Sequence, residues 1–140
     1  MKAFHFKLQK LLDLRRYREQ ETETALGRAM GELAAIDERI KKIAREKIAA
    51  AGERFAAGQG VGGIMACDNY ILRLDRNKDA LLEAAAKQEL AVAEAREIYL
   101  AASRERKIID KLKERREAEY RKNSLREETK VLDDIRRVSI

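Results

Sequence analysis

Residues 52–63 read GERFAAGQGVGG, and five of the seven glycines in the chain fall inside this window, at Gly52, Gly58, Gly60, Gly62 and Gly63. Glycine and proline are the residues that interrupt helices, and this chain contains no proline. The run Gly58-Gln59-Gly60-Val61-Gly62-Gly63 is therefore the place where an otherwise helix-favouring chain is expected to turn. Gly27 and Gly31 stand alone within a helical pattern, each at a cost of about 1 kcal/mol relative to alanine.

On either side of that run the pattern is helical. The first arm, from about Phe4 to Ala57, repeats apolar residues at steps of three and four. Leu26, Ala29, Leu33, Ile36, Ile40 and Ile43 follow this period without a miss, which keeps one stripe of the helix against a partner. Ahead of them Phe4, Leu8, Leu11 and Leu12 form a second stripe, set apart by the polar stretch Glu19 to Thr24. The second arm starts between Ile64 and Tyr70, with Asp68 a candidate N-cap. Leu74, Leu81, Ala85, Val92, Ala95, Tyr99, Ala102 and Ile109 keep the heptad spacing, interrupted by Lys78, Gln88 and Arg106. Acid-then-base pairs four residues apart (Asp37–Lys41, Glu38–Lys42, Glu83–Lys87, Glu117–Arg121) support the exposed faces by roughly a few tenths of a kcal/mol each.

Two long helices with matching seams and a short turn predict one all-α domain, a long antiparallel two-helix coiled-coil hairpin. Helix one is expected over about 4–57, the turn over about 58–63 and helix two over about 64–138. Folding about the glycines sets residue i opposite roughly residue 121 minus i, so Leu33 faces the neighbourhood of Ala86 and Leu11 faces Ile109. Helix two is the longer. Past about Arg116 it is expected to overhang by some 25 residues, about 37 Å of helix at 1.5 Å per residue. Leu125, Val131, Leu132, Ile135 and Val138 lie on that overhang at helical spacing. Such a stripe calls for cover by another protein; a frayed end is the alternative.

Composition excludes several classes of function. The chain has 140 residues, of which 40 % are charged, 5 % are aromatic and none is tryptophan. Much of its 45 % hydrophobic content is alanine, which buries little surface, so a globular enzyme is not expected. Gly58, Gly60 and Gly63 match G-x-G-x-x-G formally, but a helical pattern precedes them where a dinucleotide site needs a strand. His5 is the only histidine and Cys67 the only cysteine, and a hairpin puts them at opposite ends, excluding a shared metal site or a Cys–His pair. The carboxylate pairs Asp37-Glu38 and Asp133-Asp134 sit among bases as salt-bridge partners. No catalytic residue, cofactor site or metal site is expected, and no small-molecule substrate.

A single cysteine suits a reducing compartment. No apolar stretch approaches the roughly 20 residues needed to cross a bilayer, and MKAFHFKLQK lacks a signal-like apolar core. A cytoplasmic protein is expected. Its net charge is +6, unevenly placed. Lys2, Lys7, Lys10, Arg15, Arg16 and Arg18 meet one acid, Asp13, in the first 18 residues; Arg104, Arg106, Lys107, Lys111, Lys113, Arg115 and Arg116 crowd the part of helix two that the fold brings alongside. This cationic end attracts an acidic protein surface or nucleic acid. Stacking aromatics among the cations would argue for nucleic acid, but Tyr17, Tyr99 and Tyr120 are sparse and Glu105, Asp110, Glu114 and Glu117 interleave.

The stretch FHFKLQKLLDLRRYREQE, residues 4–21, with alternating phenylalanines, a leucine-rich turn and an Asp-Leu-Arg step, resembles the start of the FliJ family of flagellar type III export proteins. SRERKIIDKLKERREAEY, residues 103–120, resembles that family's other signature, a Lys-Leu-Lys core followed by basic residues and a tyrosine. The resemblance covers essentially the whole chain, although the glycine-rich elbow is less typical of the family. It implies a non-enzymatic stalk, similar to the central shaft of rotary ATPases. The end with both termini would insert into the hexameric flagellar export ATPase. The stalk would link that ring to the cytoplasmic domain of the export gate and help recycle export chaperones, at the cytoplasmic face of the inner membrane at the flagellar base.

By position, Lys7, Lys10, Arg15, Arg16, Lys111, Lys113, Arg115 and Arg116 are expected to complement acidic loops of the ring, and Leu125, Leu132 and Ile135 to give apolar contact within it. Phe55 and Tyr70, large residues near the elbow, are candidates for export-gate binding or for packing on each other across the hairpin tip. The alternatives are the stalk of a virulence-type secretion system, a basic coiled-coil nucleic-acid binder and a generic scaffold.

Overall fold

Ala, Leu, Glu, Lys, Arg and Gln lose little side-chain freedom in a helix, and their near-continuous run produces two helices, α1 (Gln9–Arg54) and α2 (Val61–Val138). A computed structural model describes residues 2–56, 58 and 60–139. No strand occurs among them. The helices pack against each other as a helical hairpin, within two units: a loop unit, Glu23–Ile98, and a terminal unit, Met1–Thr22 with Tyr99–Ile140.

In the loop unit α1 and α2 run antiparallel. The register rule sets Lys47 near Leu74 and Arg54 near Cys67; Lys47 pairs with Asp75, and Arg54 Nε with Asp68 Oδ1 at 3.2 Å. Ile43, Ala50, Leu74, Ala85 and Val92 are buried and form its core. The α1 seam extends past Ile43 to Ala50, with Lys47 between them. Gln88, an interruption of the α2 pattern, donates from Nε2 to Ala29 O at 3.0 Å and Glu32 Oε2 at 3.1 Å. Its polar end is thus satisfied inside the seam.

The break between the helices falls three residues earlier than the glycines suggest, between Arg54 and Val61. Helix α1 stops at Arg54 instead of 57, with Ala56 N–H closing on Glu53 O at 3.0 Å, and Gly58 takes a left-handed φ of 92°, open to glycine because it has no Cβ to clash. Ala57 and Gln59, two of the expected turn and helix residues, lie outside the described residues. Helix α2 begins at Val61, inside the expected turn, because Gly60 O already accepts from Ile64 N–H at 3.1 Å. Gly62 and Gly63 are therefore helical. Asp68 does not cap α2; it lies within the helix, and its carboxylate serves Arg54 instead. Of the four expected acid-then-base pairs, Glu117–Arg121 forms, at 3.6 Å. Glu38 takes Lys41 at 3.4 Å and Lys42 reaches Glu46 at 4.0 Å.

In the terminal unit the chain before α1 is not helical. Phe4 to Leu8 were expected in helix one, but α1 starts at Gln9, where Leu8 O accepts from Leu12 N–H at 2.9 Å. The alternating phenylalanines explain the difference. Phe6 is buried, while Phe4 stacks obliquely on Tyr120 with ring centroids 5.6 Å apart. Residues 2–8 form a strap on α2, and Tyr120 Oη donates to Lys2 O. Leu12 is fully enclosed, at 0 % exposure, and Ala102 and Ser103 are buried.

Candidate functional site

The seam of the terminal unit is charged. Counting back from Leu26 in the same steps of four and three gives Thr22, Glu19, Arg15 and Leu12, all half-buried or buried. Within Glu19 to Thr24, read from sequence as a polar separator, Glu19 and Thr22 therefore carry the seam on while the residues around them are exposed. Arg106, an interruption of the α2 pattern, lies against it. Its guanidinium donates to Glu19 and Asp110, while Arg16 Nη2 reaches Asp110 Oδ1 at 3.1 Å and Arg15 pairs with Glu105. Hydrogen bonds from Arg106 to Glu19 and then to Asp110 raise the guanidinium above its ordinary value, against some desolvation. Partial burial pushes the Asp110 carboxyl up, but hydrogen bonds from Arg106 and Arg16 outweigh it and leave the group below its ordinary value.

This network divides the eight expected ring-binding cations. Arg15 and Arg16 are committed to Glu105 and Asp110. Lys7, Lys10, Lys111, Arg115 and Arg116 are exposed and Lys113 half-buried, and none of the six has an ion pair among the described residues. The whole charge surplus is local. The terminal unit carries 19 Lys and Arg against 12 Asp and Glu, the loop unit 12 against 13.

The overhang of α2 also lies in this unit. It starts later than the expected Arg116, because the strap covers α2 as far as Tyr120. Beyond Ser124 every described residue is exposed, leaving about 14 helical residues, roughly 21 Å at 1.5 Å per residue. Leu125, Val131, Leu132, Ile135 and Val138 are 57–88 % exposed there. The structure thus brings the free cations and the apolar stripe into one unit.

It places Phe55 and Tyr70 in the loop unit. Phe55 is 82 % exposed, with the Arg54 guanidinium 5.7 Å from its ring centroid. Tyr70 is also exposed, and the sole aromatic ring pair among the described residues is Phe4–Tyr120. The expected packing of Phe55 on Tyr70 is therefore not found.

Sequence reasoning missed the Glu19–Arg106–Asp110 network and the strap. The signal for the first was present in the 3-4 count carried through polar residues, and for the second in the period of two at Phe4 and Phe6. No group of three or more His, Cys, Asp or Glu able to hold a metal occurs among the described residues, and no described helix is long and apolar enough to cross a membrane.

Comparison with known proteins adds one finding. A family described as "Flagellar FliJ protein" matches residues 4–139. No curated protein and no solved structure matches the chain. The match takes in the strap from Phe4 onward, both helices and the overhang, and by it the chain belongs to the FliJ family of flagellar export proteins.

Proposed function

We propose that this protein is the non-enzymatic central stalk of a flagellar type III export apparatus, with the terminal unit as its ATPase-binding end. The observation that carries the reading is the cluster of cations that form no ion pair among the described residues, in the same unit as a bare apolar stripe. A solvated helix gains little from concentrating a surplus of like charge, which repels itself. An acidic protein surface relieves that repulsion, and the stripe supplies the apolar area that makes the contact hold.

In this reading Lys7, Lys10, Lys111, Lys113, Arg115 and Arg116 meet acidic loops of the hexameric export ATPase, and Leu125, Leu132 and Ile135 sit deeper in the ring. Arg15 and Arg16 act from within, by keeping the seam in register. The loop unit, through Phe55 and Tyr70, contacts the cytoplasmic domain of the export gate, and the stalk links the two and helps recycle export chaperones. It works in the cytoplasm, peripherally attached at the flagellar base. A pull-down from cell lysate tests this: recovery of the export ATPase and gate is expected. Recovery of neither, or capture of nucleic acid with an affinity that falls steeply with salt, would overturn it.

A further inference from the structure

The strap does not lie flush on α2. Between Ala3–Leu8 and the face of α2 carrying Leu112, Arg116, Glu119, Tyr120 and Asn123 is a partly open cavity of about 490 Å³. That lies within the usual range of ligand pockets, about 300–1,000 Å³. Phe4, Phe6, Leu8, Leu112 and Tyr120 provide its apolar wall. Its rim holds Lys7 and Arg116, neither in an ion pair among the described residues, against the single carboxylate of Glu119.

A recess whose lining is about half apolar, with two cations among the residues that line it, selects its occupant by two chemistries at once. A free apolar molecule would leave the rim unused, and a bare anion would leave the wall wet. We propose that the cavity is a socket for one large apolar side chain, leucine or an aromatic, projecting from a partner protein segment whose neighbouring residues are carboxylates. The side chain enters between the strap and α2, and the carboxylates pair with Lys7 and Arg116. Such an anchor, packed on Phe4, Leu112 and Tyr120 and flanked by charge, is the kind of contact in which an interface concentrates its binding energy. The surrounding surplus of cations favours the same acidic segment over a neutral one.

The socket rests on the reading of the terminal unit as the ATPase-binding end, and its test separates the two. Full-length protein is titrated calorimetrically with the purified hexameric export ATPase. Two variants fill the cavity from opposite sides, Ala3→Trp from the exposed strap and Leu112→Trp from α2, with helicity followed by circular dichroism. The pair Lys111→Glu and Arg115→Glu alters charge outside the cavity. Both filled variants are expected to lose about tenfold or more in affinity, as is the charge pair, with helicity retained. Filled variants that bind like wild type, while the charge pair is weakened, remove the socket and leave the binding end in place. Absence of binding by the wild-type chain, or a charge pair that binds normally, removes both.

Discussion

The loop unit and the terminal unit each pack α1 on α2 along a seam of 3-4 spacing, with opposite chemistry. In the first, Ile43, Ala50, Leu74, Ala85 and Val92 are buried along it; in the second, Arg15, Glu19 and Arg106 take equivalent positions between the apolar residues Leu12 and Ala102. Apolar burial is non-directional, worth roughly 25 cal/mol per Å² and little affected by salt. Half-buried ion pairs add little net stability and are screened, but they penalise a shifted register because a displaced charge loses its partner. The loop unit is thus held by apolar area, and the terminal unit by apolar contact at Phe6, Leu12 and Ala102 with charge complementarity fixing its register. An end gripped by a partner benefits from the second arrangement, since its contacts can yield and re-form without exposing a large core.

The contrast can be broken at several points. The largest effect is expected at Leu12, the one fully enclosed large side chain of the charged end. Leu12→Ala should cost about 2–5 kcal/mol, read as a fall in urea midpoint. Less than about 1 kcal/mol would mean that the charged network alone holds the unit. Next, Arg106→Met strands the Glu19 carboxylate and leaves Asp110 with Arg16 alone, and should cost about 1–3 kcal/mol. The double change Glu19→Leu with Arg106→Leu should restore most of that loss and remove its salt dependence. A double variant as unstable as the single one contradicts the account.

Acid sharpens the comparison. Asp110 is held below its ordinary value, so its contribution is present above the unfolded pKa, about 3.9, and is lost as pH falls through the lower folded value. Arg106 is raised, so its contribution persists up to the unfolded value and fails only in strong alkali. The acid limb is the observable one. Amide protection in the terminal unit, taken relative to the intrinsic exchange rate at each pH, should therefore fall below about pH 4, and Asp110→Asn should flatten that response. An equal loss of protection with Asn in place would assign the effect elsewhere. The smallest change belongs to the loop unit, where a Cβ added at Gly31 meets nothing within 4 Å. Gly31→Ala should stabilise by about 0.5–1 kcal/mol, seen as a raised melting temperature.

Most of the fold was legible because it depends on period and punctuation. Leu26 to Ile43 and Leu74 to Ile109 stated the seam, and the register rule set Lys47 and Arg54 within a residue of their partners. The boundaries were less legible. Glycine signals permission to turn, not the place of turning, so Gly62 and Gly63 could join the first turn of α2. At the charged end, reading only apolar residues hid Glu19 and Arg106, whose burial depends on each finding the other. The free cations could be counted from sequence; that Arg15 and Arg16 are spent on Glu105 and Asp110 required coordinates.

Whether the uncommitted cations of the terminal unit grip the export ATPase is read out by two fourfold charge reversals compared in one calorimetric titration. Lys7, Lys10, Lys111 and Arg115, each changed to Glu, should weaken binding by about a hundredfold or more, at roughly 1 kcal/mol per exposed charge. Arg39, Arg73, Arg76 and Lys87 of the loop unit, changed likewise, should leave the affinity near that of wild type. Equal losses from both sets, or none from the first, would contradict the account.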